Sequence, residues 1–142
     1  MNQTYTINFP ENYTKPKLPG RDQWTAALRS GKYGQGKGRL RVDNNYCCLG
    51  ILCELQGRLI KENGIWVDPY DYAKEDEDCG AECSLSGDNP LAKELRDLGS
   101  FPEDLYVESD QHIIYHALSE LNDSGFVFNQ IADIIEAIWD NE

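Results

Sequence analysis

No run of about 18 consecutive apolar residues occurs in the 142-residue chain, so no segment is built to cross a membrane as a helix. Bases are scarce. Lysine and arginine number 13 against 25 aspartates and glutamates, a net charge of −12. Such a surface repels nucleic-acid phosphates over most of its area, which disfavours generic nucleic-acid binding. Residues 1–10 have neither a basic start nor an apolar core, so they do not read as a secretory signal. Without one, the five cysteines, an odd number, read as reduced thiols in a cytoplasm rather than a disulfide framework. Histidine is down to two, and no internal repeat is visible.

What is present suits one domain. The length is near that of a single core, and 40% apolar residues can fill it. Residues 1–20 hold Pro10, Pro16, Pro19 and Gly20 with little periodicity, and read as an extended N-terminal arm or a linker. Residues 21–142 read as a single α+β domain with four to five short helices, a β-hairpin and a short extra strand. A helix is expected over 21–30, with Trp24, Ala27 and Leu28 on one face and Gly31 as its stop. A strand follows at 39–42. A second helix is expected over 47–56, capped by Asn44 or Asn45, with Cys48, Ile51, Leu52 and Leu55 as its buried stripe. Asn63-Gly64 between two apolar runs predicts a hairpin. Glu75-Asp76-Glu77-Asp78 marks a solvated acidic loop, and Pro90 opens a short helix closed by Gly99. Residues 100–110 look irregular or partly extended. A helical pair ends the domain, striped by Ile114, Ala117, Leu118 and Leu121, then by Phe128, Ile131, Ile134, Ile135 and Ile138.

Charge is unevenly distributed. Residues 1–41 hold eight bases and two acids, a net of +6, and residues 42–142 hold five bases and 23 acids, a net of −18. The basic part contains Gly31-Lys32-Tyr33-Gly34-Gln35-Gly36-Lys37-Gly38, which fits the glycine and lysine spacing of a phosphate loop. Two requirements of nucleotide hydrolysis fail. Gly38 supplies no hydroxyl for magnesium, and the loop follows a helix instead of leaving a strand. A weaker expectation remains, a site for a small anionic ligand. Amides of Gly34, Gly36 and Gly38 would meet phosphate, Arg29, Lys32, Lys37, Arg39 and Arg41 would neutralise it, and Tyr33 would stack on a base. A plain solvated loop is the competing expectation.

Metal and catalytic readings are weaker. On a helix, Cys47, Cys48 and Cys53 point in three directions and cannot converge on one ion. Cys79 and Cys83, spaced Cys-x-x-x-Cys, supply at most two zinc ligands, and neighbouring carboxylates disfavour their thiolates. His112 and His116 are four apart, but Ile113 stands where a zinc helix needs glutamate, so both read as solvent-facing. The terminal helical pair resembles a helix-turn-helix, yet its second helix carries Asp133, Glu136 and Asp140 and no base, so it would repel DNA. No catalytic residue, metal or other cofactor is assigned.

Four blocks carry a family resemblance. They are Trp24-Thr25-Ala26-Ala27-Leu28-Arg29-Ser30-Gly31-Lys32-Tyr33, Gly36-Lys37-Gly38-Arg39-Leu40-Arg41, Tyr46-Cys47-Cys48-Leu49-Gly50-Ile51-Leu52-Cys53-Glu54-Leu55, and the run from Leu121-Asn122-Asp123-Ser124-Gly125 through Phe126, Phe128 and Ile131 to Ile135. Together they resemble a family of small phage and prophage proteins. The chain departs from it at Val127, where relatives tend to carry a small hydroxyl residue to cap the last helix. The resemblance implies an accessory protein acting in the host cytoplasm by binding, for takeover or against defence, and it carries no activity. Two partners are expected from it and the charge pattern. One is a small phosphorylated or nucleotide ligand at the glycine loop. The other is a basic host protein docked by the acidic surface, which would imitate nucleic acid.

Overall fold

The computed structural model describes residues 3–37, 41–42, 44–56, 60–62, 65–67 and 98–142. The chain is of the α+β class. Its elements in order are β1 (Tyr5–Asn8), β2 (Lys17–Leu18), α1 (Arg21–Arg29), β3 (Gly34–Gln35), β4 (Arg41–Val42), β5 (Asn45–Tyr46) and α2 (Cys48–Leu55). They continue with β6 (Ile60–Glu62), β7 (Ile65–Val67), β8 (Tyr106–Ser109), β9 (Ile114–Tyr115), α3 (Leu118–Asp123), α4 (Phe128–Ile138) and β10 (Asp140–Asn141). Among the described residues the strands make four small sheets: β1-β8-β9, β10-β2, β3-β5-β4 and β6-β7.

Helix α1 forms where expected. Trp24, Thr25 and Leu28 are buried, Asp22 sits in the positive first turn and Arg29 in the negative last turn. Gly31, at φ +76°, then reverses the chain at an angle glycine adopts without steric cost. Helix α2 is buried from Cys48 through Cys53, so it is apolar all round and runs through the core. The Trp24 indole N–H donates to the Cys48 carbonyl at 2.9 Å and ties α1 to the start of α2. Helix α4 buries Phe128, Ile131, Ile134, Ile135 and Ile138. Each such side chain contributes about 2 kcal/mol of hydrophobic stabilisation. Val127 caps α4 without a side-chain bond, and the helix still begins at Phe128, because burial holds that turn.

Two sequence expectations change. The cap of α2 is Cys47, whose Sγ accepts from the Gly50 N–H at 3.4 Å. Asn45 is unavailable, since it pairs in β5 with both β3 and β4. The helix expected across 114–121 begins only at Leu118. Ile114 and Tyr115 pair with β8 instead, and the apparent stripe crosses a strand-to-helix boundary. The segment 100–110 contains β8, the middle strand of its sheet. The expected hairpin is present as β6 against β7, with Glu62 opposite Ile65. Its turn at residues 63–64, the strand start at residues 39–40, and the acidic segment with Cys79 and Cys83 lie outside the described residues. Of the helix expected from Pro90, only Leu98 and Gly99 are described, and they are helical.

Residues 3–20 are extended and packed onto the rest. β1 pairs antiparallel with β8, and β2 pairs parallel with β10. The Tyr13 hydroxyl donates to the Ile138 carbonyl, Lys15 Nζ to the Glu136 carbonyl and Arg21 to the Trp139 carbonyl. These donors satisfy carbonyls at the end of α4 that its own turns leave open, and two are cations at a negative helix end.

Candidate functional site

The glycine loop lies against β5 and α3. The Gly34 amide donates to the Asn44 carbonyl at 3.2 Å and the Gly36 amide to the Tyr46 carbonyl at 2.7 Å. A Cβ on Gly34 would fall on Asn45 Oδ1, and one on Gly36 would stand 3.3 Å from Asn45 Cβ. Close approach of two backbones therefore accounts for both glycines. Between them, Gln35 Nε2 donates to Asn122 Oδ1 at 3.0 Å and to the Phe126 carbonyl at 2.7 Å. Asn122 is fully buried. Its Oδ1 also accepts from the Cys48 amide at 3.2 Å, and its Nδ2 donates to the Gly36 carbonyl at 2.7 Å. One side chain thus joins the loop, the start of α2 and the end of α3.

The basic side chains disperse into the fold. Arg29 forks across α4, reaching Asp133 at 2.6 Å and both Glu136 oxygens at 2.8 Å. Glu136 Oε2 also accepts from the buried Thr25 hydroxyl at 3.0 Å. The hydrogen bonds that Arg29 donates to Glu136 and then to Asp133 push its pKa up. The Arg29 bonds hold the Glu136 carboxyl down at about 2, against the opposing effect of burial. Arg41 pairs with Glu54 at 3.2 Å, and its guanidinium lies 4.7 Å from the centre of the Tyr46 ring. Tyr33 packs edge-on against Tyr46, ring centres 5.1 Å apart. Lys17 faces Asp140 at 3.6 Å. Lys32 and Lys37 are exposed and have no ion-pair partner among the described residues. Gly38 and Arg39 lie outside them.

The structure thus places Arg29 on α4, Arg41 and Tyr33 on the β5 side, and the Gly34 and Gly36 amides inside a sheet. It does not bring these groups to one point. Asn122 was the residue sequence reasoning missed. It stands inside a block that carries the family resemblance.

A different feature emerges at the β8–β9 hairpin. Ser109 is buried, and its Oγ accepts from the Gln111 and Ile113 amides, each at 3.2 Å. The Ser109 amide donates to the Ile113 carbonyl, and the His112 amide donates to the Ser109 carbonyl, both at 2.9 Å. The Asp110 amide donates to the Thr4 carbonyl of β1 at 3.1 Å. His112 adopts φ +66°, which turns the chain sharply. The result is a rigid tip that leaves Ile113 and Ile114 each 48% exposed. Glu108, in contact with His112 Nδ1 at 3.1 Å, and Asp110 flank the pair. Open depressions adjoin the hairpin on either side. One of about 580 Å³ is lined by Thr4, Asp110, Gln111 and Ile113 among others, and one of about 360 Å³ by Phe101, Glu103, Asp104 and His116 among others.

The described thiols give no second site. Cys47, Cys48 and Cys53 are buried. Burial pushes the Cys47 pKa up to about 11 and that of Cys48 well above its usual range, so neither is a thiolate nucleophile at neutral pH. His112 and His116 are exposed, on a turn and beyond a strand, and not one above the other on a helix. Among the described residues, no three His, Cys, Asp or Glu side chains are grouped to hold a metal ion. No helix among them is long and apolar enough to cross a membrane.

Neither a curated protein nor a solved structure matches the chain. A family model described as Domain of unknown function (DUF8296) matches residues 17–139. That span reaches from β2 to the residue after α4 and takes in the glycine loop, the Asn122 hub and the hairpin tip, and the chain belongs to this family.

Proposed function

We propose that the chain is a phage accessory protein that works in the host cytoplasm by binding a host protein, with the β8–β9 tip as its contact. The observation that carries this reading is the exposed Ile113–Ile114 pair, fixed on a turn by the Ser109 hydroxyl and flanked by carboxylates. Adjacent exposed isoleucines on a rigid tip are poor design for a surface that meets only water. A tip ordered before contact loses little conformational entropy on binding. The complementary partner surface is an apolar socket edged with lysine and arginine. The −18 balance of residues 42–142 draws such a partner in, and salt screens that attraction. The resemblance to small phage proteins supports the host as its source.

The test compares tagged wild-type protein with Ile113→Ser/Ile114→Ser as bait in host lysate, followed by titration of the identified partner. The double variant should weaken the partner's binding by about 10-fold or more, as should raising salt from about 0.1 M to 0.5 M. Equal recovery of the same proteins by both baits would sink the reading.

A second reading keeps a small phosphorylated ligand at the glycine loop, with Lys32 and Lys37 as the exposed cations. It loses the Gly34 and Gly36 amides and the Arg29 and Arg41 charges, all of which are engaged within the fold. Titration with nucleotides, comparing wild type with Lys32→Ala/Lys37→Ala, decides it. Unchanged affinities would remove it.

A further inference from the structure

Strand β1 is an edge of its sheet. The Asp110 amide donates to the Thr4 carbonyl, and Tyr5 stands opposite Ser109. Alternation along an antiparallel strand then turns the peptide groups of Thr4, Thr6 and Asn8 toward β8, and those of Gln3, Tyr5 and Ile7 outward. Gln3 is closed off by the Gln130 side chain. Its amide donates to Gln130 Oε1 at 3.1 Å, and its carbonyl accepts from Gln130 Nε2. At the other end Pro10 lacks an N–H. Between them the outward N–H and C=O groups of Tyr5 and Ile7 have no partner among the described residues.

Natural edges of this kind are guarded by lysine, proline or a bulge. Here residues 2–10 carry no charge at all, in a chain where 27% of residues are charged. Tyr5, Thr6 and Ile7 are also strong strand formers. We propose that this edge joins a second copy of the chain, β1 against β1, antiparallel about a two-fold axis at Thr6. Tyr5 then pairs with Ile7 of the second copy and Ile7 with Tyr5, closing four main-chain hydrogen bonds. Thr6 faces Thr6 as a pair with no hydrogen bonds between them. Asn8 faces Thr4 of the second copy. Phe9, 45% exposed and tilted against Tyr13 with ring centres 5.1 Å apart, adds apolar surface beside the pair.

Charge selects the occupant. A basic partner finds no carboxylate on residues 2–10, whereas two copies each carrying −12 repel least where both are neutral. The interface is short, so self-association belongs to the weak class, with a dissociation constant of about 10–100 µM. This inference rests on strand geometry and not on the hairpin reading. In the pair, the two hairpin tips point in opposite directions.

Sedimentation equilibrium from about 5 µM to about 500 µM tests it, a range that spans weak association. Wild type should move from 16.1 kDa toward twice that mass. Thr6→Lys sets like charges face to face in the pair while leaving the β1–β8 bonds alone, and should weaken association at least 10-fold with little change in melting. Thr6→Val should keep it. Thr6→Cys under mild oxidation should give a disulfide-linked dimer on a non-reducing gel beyond any formed by the parent chain. A monomer at every concentration, or a Thr6→Lys chain that associates like wild type, overturns the proposal, as does a Thr6→Cys chain that never cross-links.

Discussion

The glycine loop at residues 31–37 and the hairpin turn at residues 110–113 answer to opposite rules. The first is rich in glycine and flanked by bases, yet it turns its amides inward to β5 and its glutamine onto Asn122. The second has no glycine and joins strand β8 to strand β9, yet it holds two isoleucines out to solvent. Bases close together along the chain need not be close together in space. Arg29 points across to α4 while Arg41 points to α2, because each finds a carboxylate there. Much of the positive charge in the first 41 residues serves as internal complement to the acidic remainder, and the surface charge that is left belongs mainly to carboxylates.

The sharpest way to break this contrast is Asn122→Ala. It strands the Cys48 amide and the Gly36 carbonyl in the core and removes one of the two acceptors of Gln35. A loss of about 3 kcal/mol is expected in denaturant unfolding. A neutral result would mean the loop is not anchored as described. Next comes Gly34→Ala, whose Cβ meets the Asn44 carbonyl at 3.0 Å as well as the Asn45 side chain. That should cost about 1–2 kcal/mol, and Gly31→Ala, with open space but φ +76°, about 1 kcal/mol.

The Arg29 clasp is smaller, since its groups are about one-third exposed, Arg29 at 35% and Glu136 at 36%. Glu136→Gln should cost about 1 kcal/mol at pH 7. Its sign with pH is fixed. The Glu136 pKa falls from an ordinary 4.5 to about 2 on folding. Its contribution is therefore complete above about pH 4.5 and is lost as pH falls toward 2. Melting temperatures from pH 7 to pH 2.5 should converge between wild type and Glu136→Gln. Smallest is the effect of Ile113→Ser/Ile114→Ser on stability, within about 0.5 kcal/mol, because both side chains are already half in water. A large loss there would place the tip in the core and reverse the contrast.

Helices α1, α2 and α4 are legible from sequence because each carries apolar residues at helical spacing, although Leu55 of the expected α2 stripe is 43% exposed. Trp24 and Leu28 share a face, and so do Ile131, Ile134, Ile135 and Ile138. The β6–β7 pairing follows from two apolar runs around Asn63-Gly64. Periodicity alone misplaced Ile114, since an isoleucine three before an alanine fits a helix as well as a strand end. The Asn122 hub was out of reach for another reason. It depends on partners far along the chain, 86 residues away for Gly36, and no local pattern records them. The Ser109 turn is closed by bonds only two and four residues away, but no glycine or proline marks it. Glycine spacing misled the other way, because close backbone packing and phosphate binding ask for the same residue.

The clamps that close α4 also set a timetable for synthesis. Tyr13, Lys15 and Pro16 can find the Ile138 carbonyl, the Glu136 carbonyl and the Asp140 amide only after those residues have left the ribosome. The first twenty residues must therefore wait, unpaired, through translation of more than a hundred others. Strand β1 cannot close onto β8, nor β2 onto β10, until those later strands have been made.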